Sequence, residues 1–114
     1  VEAHGVEVVD FKAESALNGT KMIQLDAENK GDGTAYCRGY VELVNFKSGT
    51  SRKLAVKNFT ITPGLRREFK FEIPVDMEPG IYNAIGVVDY GSSKELLTAE
   101  MQIKLWDMNS AGNN

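Results

Sequence analysis

Three residue types that carry much of protein chemistry are nearly missing from this sequence, which has a single cysteine, Cys37, a single histidine, His4, and a single tryptophan, Trp106. A lone cysteine forms no internal disulfide and supplies no thiolate-rich metal site. Cys37 falls on the inner face of an alternating strand and lacks a histidine partner, so it reads as a small core hydrophobe. His4 lies near the terminus without a metal-spaced partner, and no Gly-x-Ser-x-Gly elbow accompanies it. Catalysis is therefore not expected, and neither is a cofactor. The net charge is only −3, so there is no basic field to collect phosphates, and nucleic acid is not an expected partner. No apolar run approaches the roughly 20 residues that span a bilayer as a helix, and no basic-then-apolar leader opens the sequence, so membrane insertion is not expected. The start at Val1 suggests a piece of a longer, exported precursor.

What is present is alternation. Its 114 residues, 42% of them hydrophobic, suit one domain with a core that needs no disulfide or metal. From 97 to 105, Leu97, Ala99, Met101, Ile103 and Leu105 alternate with Thr98, Glu100, Gln102 and Lys104. This period of two marks a strand with one buried and one wet face. Across 65–73 the inner set is Leu65, Phe69, Phe71 and Ile73, with Arg67 as the exception among them. Ile23, Leu25 and Ala27 form another inner row, as do Cys37, Val41 and Leu43. The first strand, 6–13, changes register between Val8 and Val9, so that Val9 and Phe11 face away from Val6 and Val8, which a bulge would explain. Further strands are expected at 54–59 and 81–90. Turn chemistry separates the runs at Asn18-Gly19, 30–33, Ser48-Gly49, Pro63-Gly64, Pro79-Gly80 and 91–93. The expected fold is all-β, an immunoglobulin-like β-sandwich of about seven antiparallel strands over residues 1–106, followed by a flexible polar tail at 107–114. Ile23, Leu25, Val41, Phe69, Phe71, Tyr82, Val88, Met101 and Ile103 are its expected core.

Tyr82 follows the turn Pro79-Gly80 at the start of a strand, the placement of a tyrosine corner, in which the hydroxyl bonds upstream backbone. Ala84 stands where an antibody domain has its second disulfide cysteine. Together with Asn29-Lys30-Gly31-Asp32-Gly33-Thr34-Ala35, Thr62-Pro63-Gly64 and Val88-Asp89-Tyr90-Gly91, these motifs resemble bacterial Ig-like domains of proteins related to periplasmic pilus-assembly chaperones and of adhesion-related surface proteins. The resemblance implies an extracytoplasmic location, in the periplasm or on the cell surface, and a binding or scaffolding role. Pilus chaperones have two such domains and a basic pair between them, which Arg52, Arg66 and Arg67 do not match by motif.

Asp26, Glu28, Asn29 and Asp32 crowd one strand end, but Lys30 occupies a position a calcium loop needs for an oxygen ligand, so a polar turn is favoured. Asn18-Gly19-Thr20 and Asn58-Phe59-Thr60 fit the glycosylation sequon and equally fit turn and strand. The remaining feature is a candidate contact patch, Tyr36, Tyr40, Ile85 and Val87, on the outward side of two strands that neighbour each other in an immunoglobulin-like sheet. The reading is a non-catalytic interaction or structural module of a bacterial envelope or surface protein, with a protein partner or a neighbouring domain. The alternatives are a carbohydrate-binding module, which normally presents aromatic platforms whereas the only Trp here, Trp106, lies at the end of the last strand, and an accessory domain of a secreted enzyme.

Overall fold

A computed structural model describes residues 5–15, 21–91 and 96–105. Eight strands make up its regular structure: β1 (Val6–Ser15), β2 (Lys21–Asn29), β3 (Ala35–Asn45), β4 (Ser51–Lys53), β5 (Lys57–Ile61), β6 (Arg66–Glu72), β7 (Gly80–Asp89) and β8 (Leu97–Leu105). All pairings are antiparallel, in two sheets, one ordered β1-β2-β6 and the other β4-β3-β7-β8 with β5 also on β3. The fold is a β-sandwich. Its fourth strand lies in the sheet of β3, whereas the constant-type immunoglobulin layout places the fourth strand with the first two.

The core is the inner half of each alternation. Ile23, Leu25, Val41, Leu43, Ile61 and Val88 are all but completely buried, and Phe69, Phe71, Tyr82 and Ile103 join them. Met101 is only partly buried, packed against the cluster from the outermost strand of its sheet. Side chains of the smaller sheet press against the backbone of Gly86, where a Cβ would lie 2.8 Å from Leu25 Cδ1 and 2.9 Å from Phe11 Cε1. Strand β8 completes its own sheet, pairing with β7 from Leu97 to Leu105.

Several sequence expectations are altered by edges. The stretch 54–59 is not one strand: β4 and β5 lie one after the other along the same edge of β3, and buried Leu54 anchors the step between them through its N–H to Val41 O at 2.8 Å. The register does shift between Val8 and Asp10, but Val9 alone is displaced and exposed. Phe11 returns to the core side with Val8, because one extra residue absorbs the bulge. Leu65 is 56% exposed, and the inner face of its strand starts at Phe69. Ahead of it Arg67 lies over the Phe69 ring, 5.5 Å from its centroid, and donates to Thr60 O at 3.1 Å.

The corner at Tyr82 has the expected form: the ring is buried and the hydroxyl donates to Glu78 O at 2.7 Å. Four residues of chain are tied back onto the strand they enter, which fixes the crossing at that end of the sandwich. His4, Asn18-Gly19-Thr20, Trp106 and the expected tail at 107–114 lie outside the described residues.

Candidate interaction surface

The outer face of the larger sheet is built from alternate residues of β3 and β7. Tyr40, Glu42 and Val44 point away from the core because Val41, Leu43 and Asn45 point into it. On β7, Ile81, Asn83, Ile85 and Val87 alternate with buried Tyr82, Ala84, Gly86 and Val88. The register sets Tyr40 opposite Val87, Glu42 opposite Ile85 and Val44 opposite Asn83. Phe46, 69% exposed, extends the row through its N–H to Ile81 O at 2.8 Å. Lys53 of β4 stands beside Glu42 and holds its ammonium 4.2 Å from the Tyr40 ring centroid, a cation–π contact.

Val87 is buried without belonging to the cluster between the sheets. It lines a hollow of about 190 Å³ on the outer face with Tyr40, Val56 and Leu96, rimmed by Arg38, Lys53 and Asp89. Of the four patch residues read from the sequence, the structure brings Tyr40, Ile85 and Val87 together. Tyr36 is elsewhere: the β3–β7 ladder ends at Arg38 opposite Asp89, and beyond it Tyr36 faces Thr60 of β5. It borders a separate hollow of about 620 Å³ with Cys37, Asn58, Phe59 and Arg67. Val44, Phe46 and Ile81 were missed, although the alternations 40–46 and 81–87 carry the signal for them.

The other outer face is charged. Its cross-strand rows are Asp10, Asp26 and Glu68; Lys12, Gln24 and Lys70; and Glu28 with Arg66. Asp26 is buried, receiving Arg66 Nη2 at 2.6 Å and Gln24 Nε2 at 3.0 Å. Lys70 lies 3.1 Å from Glu14, and Lys30 lies 2.9 Å from Glu7. These hydrogen bonds raise the pKa values of Arg66, Lys70 and Lys30 above their usual range.

The polar turn after β2 is held by protein contacts. Asn29 is fully buried, donating to Gly33 O and Ile61 O at 2.8 Å each and accepting from Gly31 N at 2.9 Å. Asp26 belongs to Arg66 and Gln24, and Glu28 lies 3.8 Å from Lys30. Among the described residues no group of three or more His, Cys, Asp or Glu side chains is placed to hold a metal ion. Cys37 is buried, and desolvation, with a smaller contribution from Asp89, pushes its thiol up to about 11. The thiolate that nucleophilic chemistry needs is thus disfavoured.

No protein-family model and no curated protein matches the chain. Solved structures do. The GH3 β-glucosidase of Bifidobacterium adolescentis matches with a TM-score of 0.66 and 15% identity, over 90% of this chain and 17% of that one. A β-glucosidase from Streptomyces venezuelae, solved with D-glucose, matches with 0.62 and 9%, over 90% of this chain and 15% of that one. β-Glucosidase 3B of Thermotoga neapolitana, solved with glucose, matches with 0.60 and 21%, over 88% and 16%. The chain shares a fold with a segment of each and spans about one-sixth of their length.

Proposed function

We propose that this chain is a non-catalytic accessory domain of a larger glycoside hydrolase, packed on the rest of that polypeptide through the apolar row on β3 and β7. The observation that carries the reading is the coverage: nearly all of this sandwich recurs inside β-glucosidases about six times its length. A sandwich embedded in a longer chain has a neighbour to cover one face, and the Tyr40–Val87 row is the face with apolar surface to cover. This reading replaces the pilus-chaperone-like parent, which rests on turn motifs.

Carboxylate placement among the described residues supports the non-catalytic part. Glycoside hydrolysis generally uses two carboxyl groups flanking the bond, about 5 to 10 Å apart in a cleft. Among the described residues the one carboxylate lining the hollow at Tyr40 is Asp89, whose Oδ1 accepts from Gly91 N at 2.9 Å. Among the described residues the hollow beside Phe71 has Glu72 as its one carboxylate, and the hollow at Tyr36 has none.

The test is hydrolysis of p-nitrophenyl β-glucoside by the isolated 114-residue chain and by the polypeptide that carries it. Turnover by the long polypeptide alone is expected. Turnover by the isolated chain would refute the non-catalytic part, and a long polypeptide inert toward a panel of aryl glycosides would refute the hydrolase parent.

A further inference from the structure

Strand β6 is an edge: it pairs with β2 on one side, and among the described residues no strand pairs with it on the other. Leu65 O accepts from Asn29 N and Ile73 N donates to Lys21 O, so the odd-numbered residues of this segment turn their backbone groups toward β2. The even-numbered residues, Arg66, Glu68, Lys70 and Glu72, therefore offer N–H and C=O to the open side. Lys57 of β5 crosses to that side and donates from Nζ to Lys70 O at 2.7 Å, with its ammonium 5.3 Å from the Phe71 ring centroid. A lysine over an open edge is a recognised obstacle to strand addition.

The charges along this edge are self-complementary. We propose that β6 is a strand-pairing surface for a second copy of this chain, antiparallel about a two-fold axis at Phe69, with Lys57 as its latch. In that register Arg66 faces Glu72 and Glu68 faces Lys70, each twice, and these are the residues whose backbone groups face outward. Moving the axis to Glu68 opposes Glu68 with itself and Arg66 with Lys70. Moving it to Lys70 opposes Lys70 with itself and Glu68 with Glu72. Like charges directly opposite destabilise a strand pair and unlike ones stabilise it, so these two registers are disfavoured. The axis at Phe69 sets two distinct unlike pairs opposite each other, where an axis at Arg67 or Phe71 sets only one, Arg66 with Glu68 or Lys70 with Glu72. The pairing is isologous and closes as a dimer, joining two three-stranded sheets into one of six.

Lys57→Met removes the donor and keeps an apolar stem over Phe71, and Lys57→Ala removes both. Each is expected to shift sedimentation toward a discrete dimer relative to the parent chain, weakening as salt screens the charge pairs. In the dimer the amides of Glu68 and Lys70 gain hydrogen-exchange protection. In the Lys57→Met background, Glu68→Lys sets two lysines opposite each other at two symmetry-related places and is expected to weaken the dimer about tenfold or more. Adding Lys70→Glu restores opposite charges and the dimer. Cooperative urea unfolding of each variant checks that it is folded. The proposal fails if both folded Lys57 variants stay monomeric at their highest soluble concentration, if open-ended aggregates form in place of a dimer, or if the double exchange associates no better than Glu68→Lys.

Discussion

The two outer faces of this sandwich treat the solvent-facing half of a strand in opposite ways. On β1, β2 and β6 the outward residues are a lattice of charges that neutralise one another, dense enough to bury Asp26 beneath Arg66 and Gln24. On β3 and β7 the outward row holds Tyr40, Val87, Ile85, Val44, Ile81 and Phe46, with Glu42 and Asn83 interspersed. The first face is complete within the domain. The second leaves apolar area in water, worth about 25 cal/mol for each Å² that a partner would cover. A face whose charges are paired within the domain and a face with apolar area to cover sit on one molecule, which gives the domain an orientation.

The contrast can be broken most sharply at Asp26. Its carboxylate accepts two hydrogen bonds in a buried setting, so Asp26→Ala is expected to cost the isolated chain about 2 kcal/mol or more in urea unfolding. A change below about 0.5 kcal/mol would mean that the charged face is a solvated surface and the comparison is false. Asp26→Asn keeps the shape and loses the charge, and an intermediate cost is expected.

On the apolar face the effect moves from stability to association. Tyr40→Ser/Val87→Thr is expected to cost the isolated chain about 1 kcal/mol, nearly all of it from Val87, which is 7% exposed. In the long polypeptide the same pair is expected to uncouple the sandwich, seen as a separate unfolding transition and faster proteolysis at its boundaries. An unchanged single transition would place the docking surface elsewhere. Tyr82→Phe, which touches neither outer face, calibrates the scale: loss of the bond to Glu78 O is expected to cost about 1 kcal/mol in both the isolated and the long forms.

Much of this arrangement is legible from period-two alternation, because burial on one face of a strand leaves its mark on every second residue. Ile23, Leu25, Phe69, Phe71 and Ile103 are buried as their pattern implies, and the Pro79-Gly80-Ile81-Tyr82 spacing points to the corner hydrogen bond. What alternation does not encode is which strand lies beside which, and for how far. Tyr36 belongs to the same outward row as Tyr40, yet β7 stops short of it, so the patch lost a member for reasons of ladder length. Leu65 and Arg67 are in phase with Phe69 but exposed, Arg67 reaching the rim of the opposing sheet at Thr60 O without entering the core, and only the end of the packed region could reveal that. Asn29 reads in the sequence as part of a polar turn, whereas in the fold it donates to the Ile61 carbonyl of β5, a contact across 32 residues that no local pattern encodes. The coverage of much longer enzymes has no counterpart in any residue pattern.

Near neutral pH the contrast leaves no trace on Cys37, and only alkaline pH tests how dry the interior is at the Tyr36 end of β3. Cys37 projects inward from β3 between outward-facing Tyr36 and Arg38, and its thiol is raised from 9.0 to about 11 by desolvation first and Asp89 second. An acid whose pKa is higher when folded holds its proton in the native state at pH values where the unfolded chain has lost it. Between about 9 and 11 the unfolded state therefore binds fewer protons than the native one, and stability falls as pH rises through that window. Below 9 both states are protonated and the group contributes no slope. Cys37→Ala should remove this part of the alkaline decline while lowering stability at neutral pH through the lost packing. Native Cys37 should also react with iodoacetamide at pH 8 much more slowly than the urea-unfolded chain. Equal rates would mean that water reaches the thiol through the hollow at Tyr36, and that the interior behind this end of β3 is open.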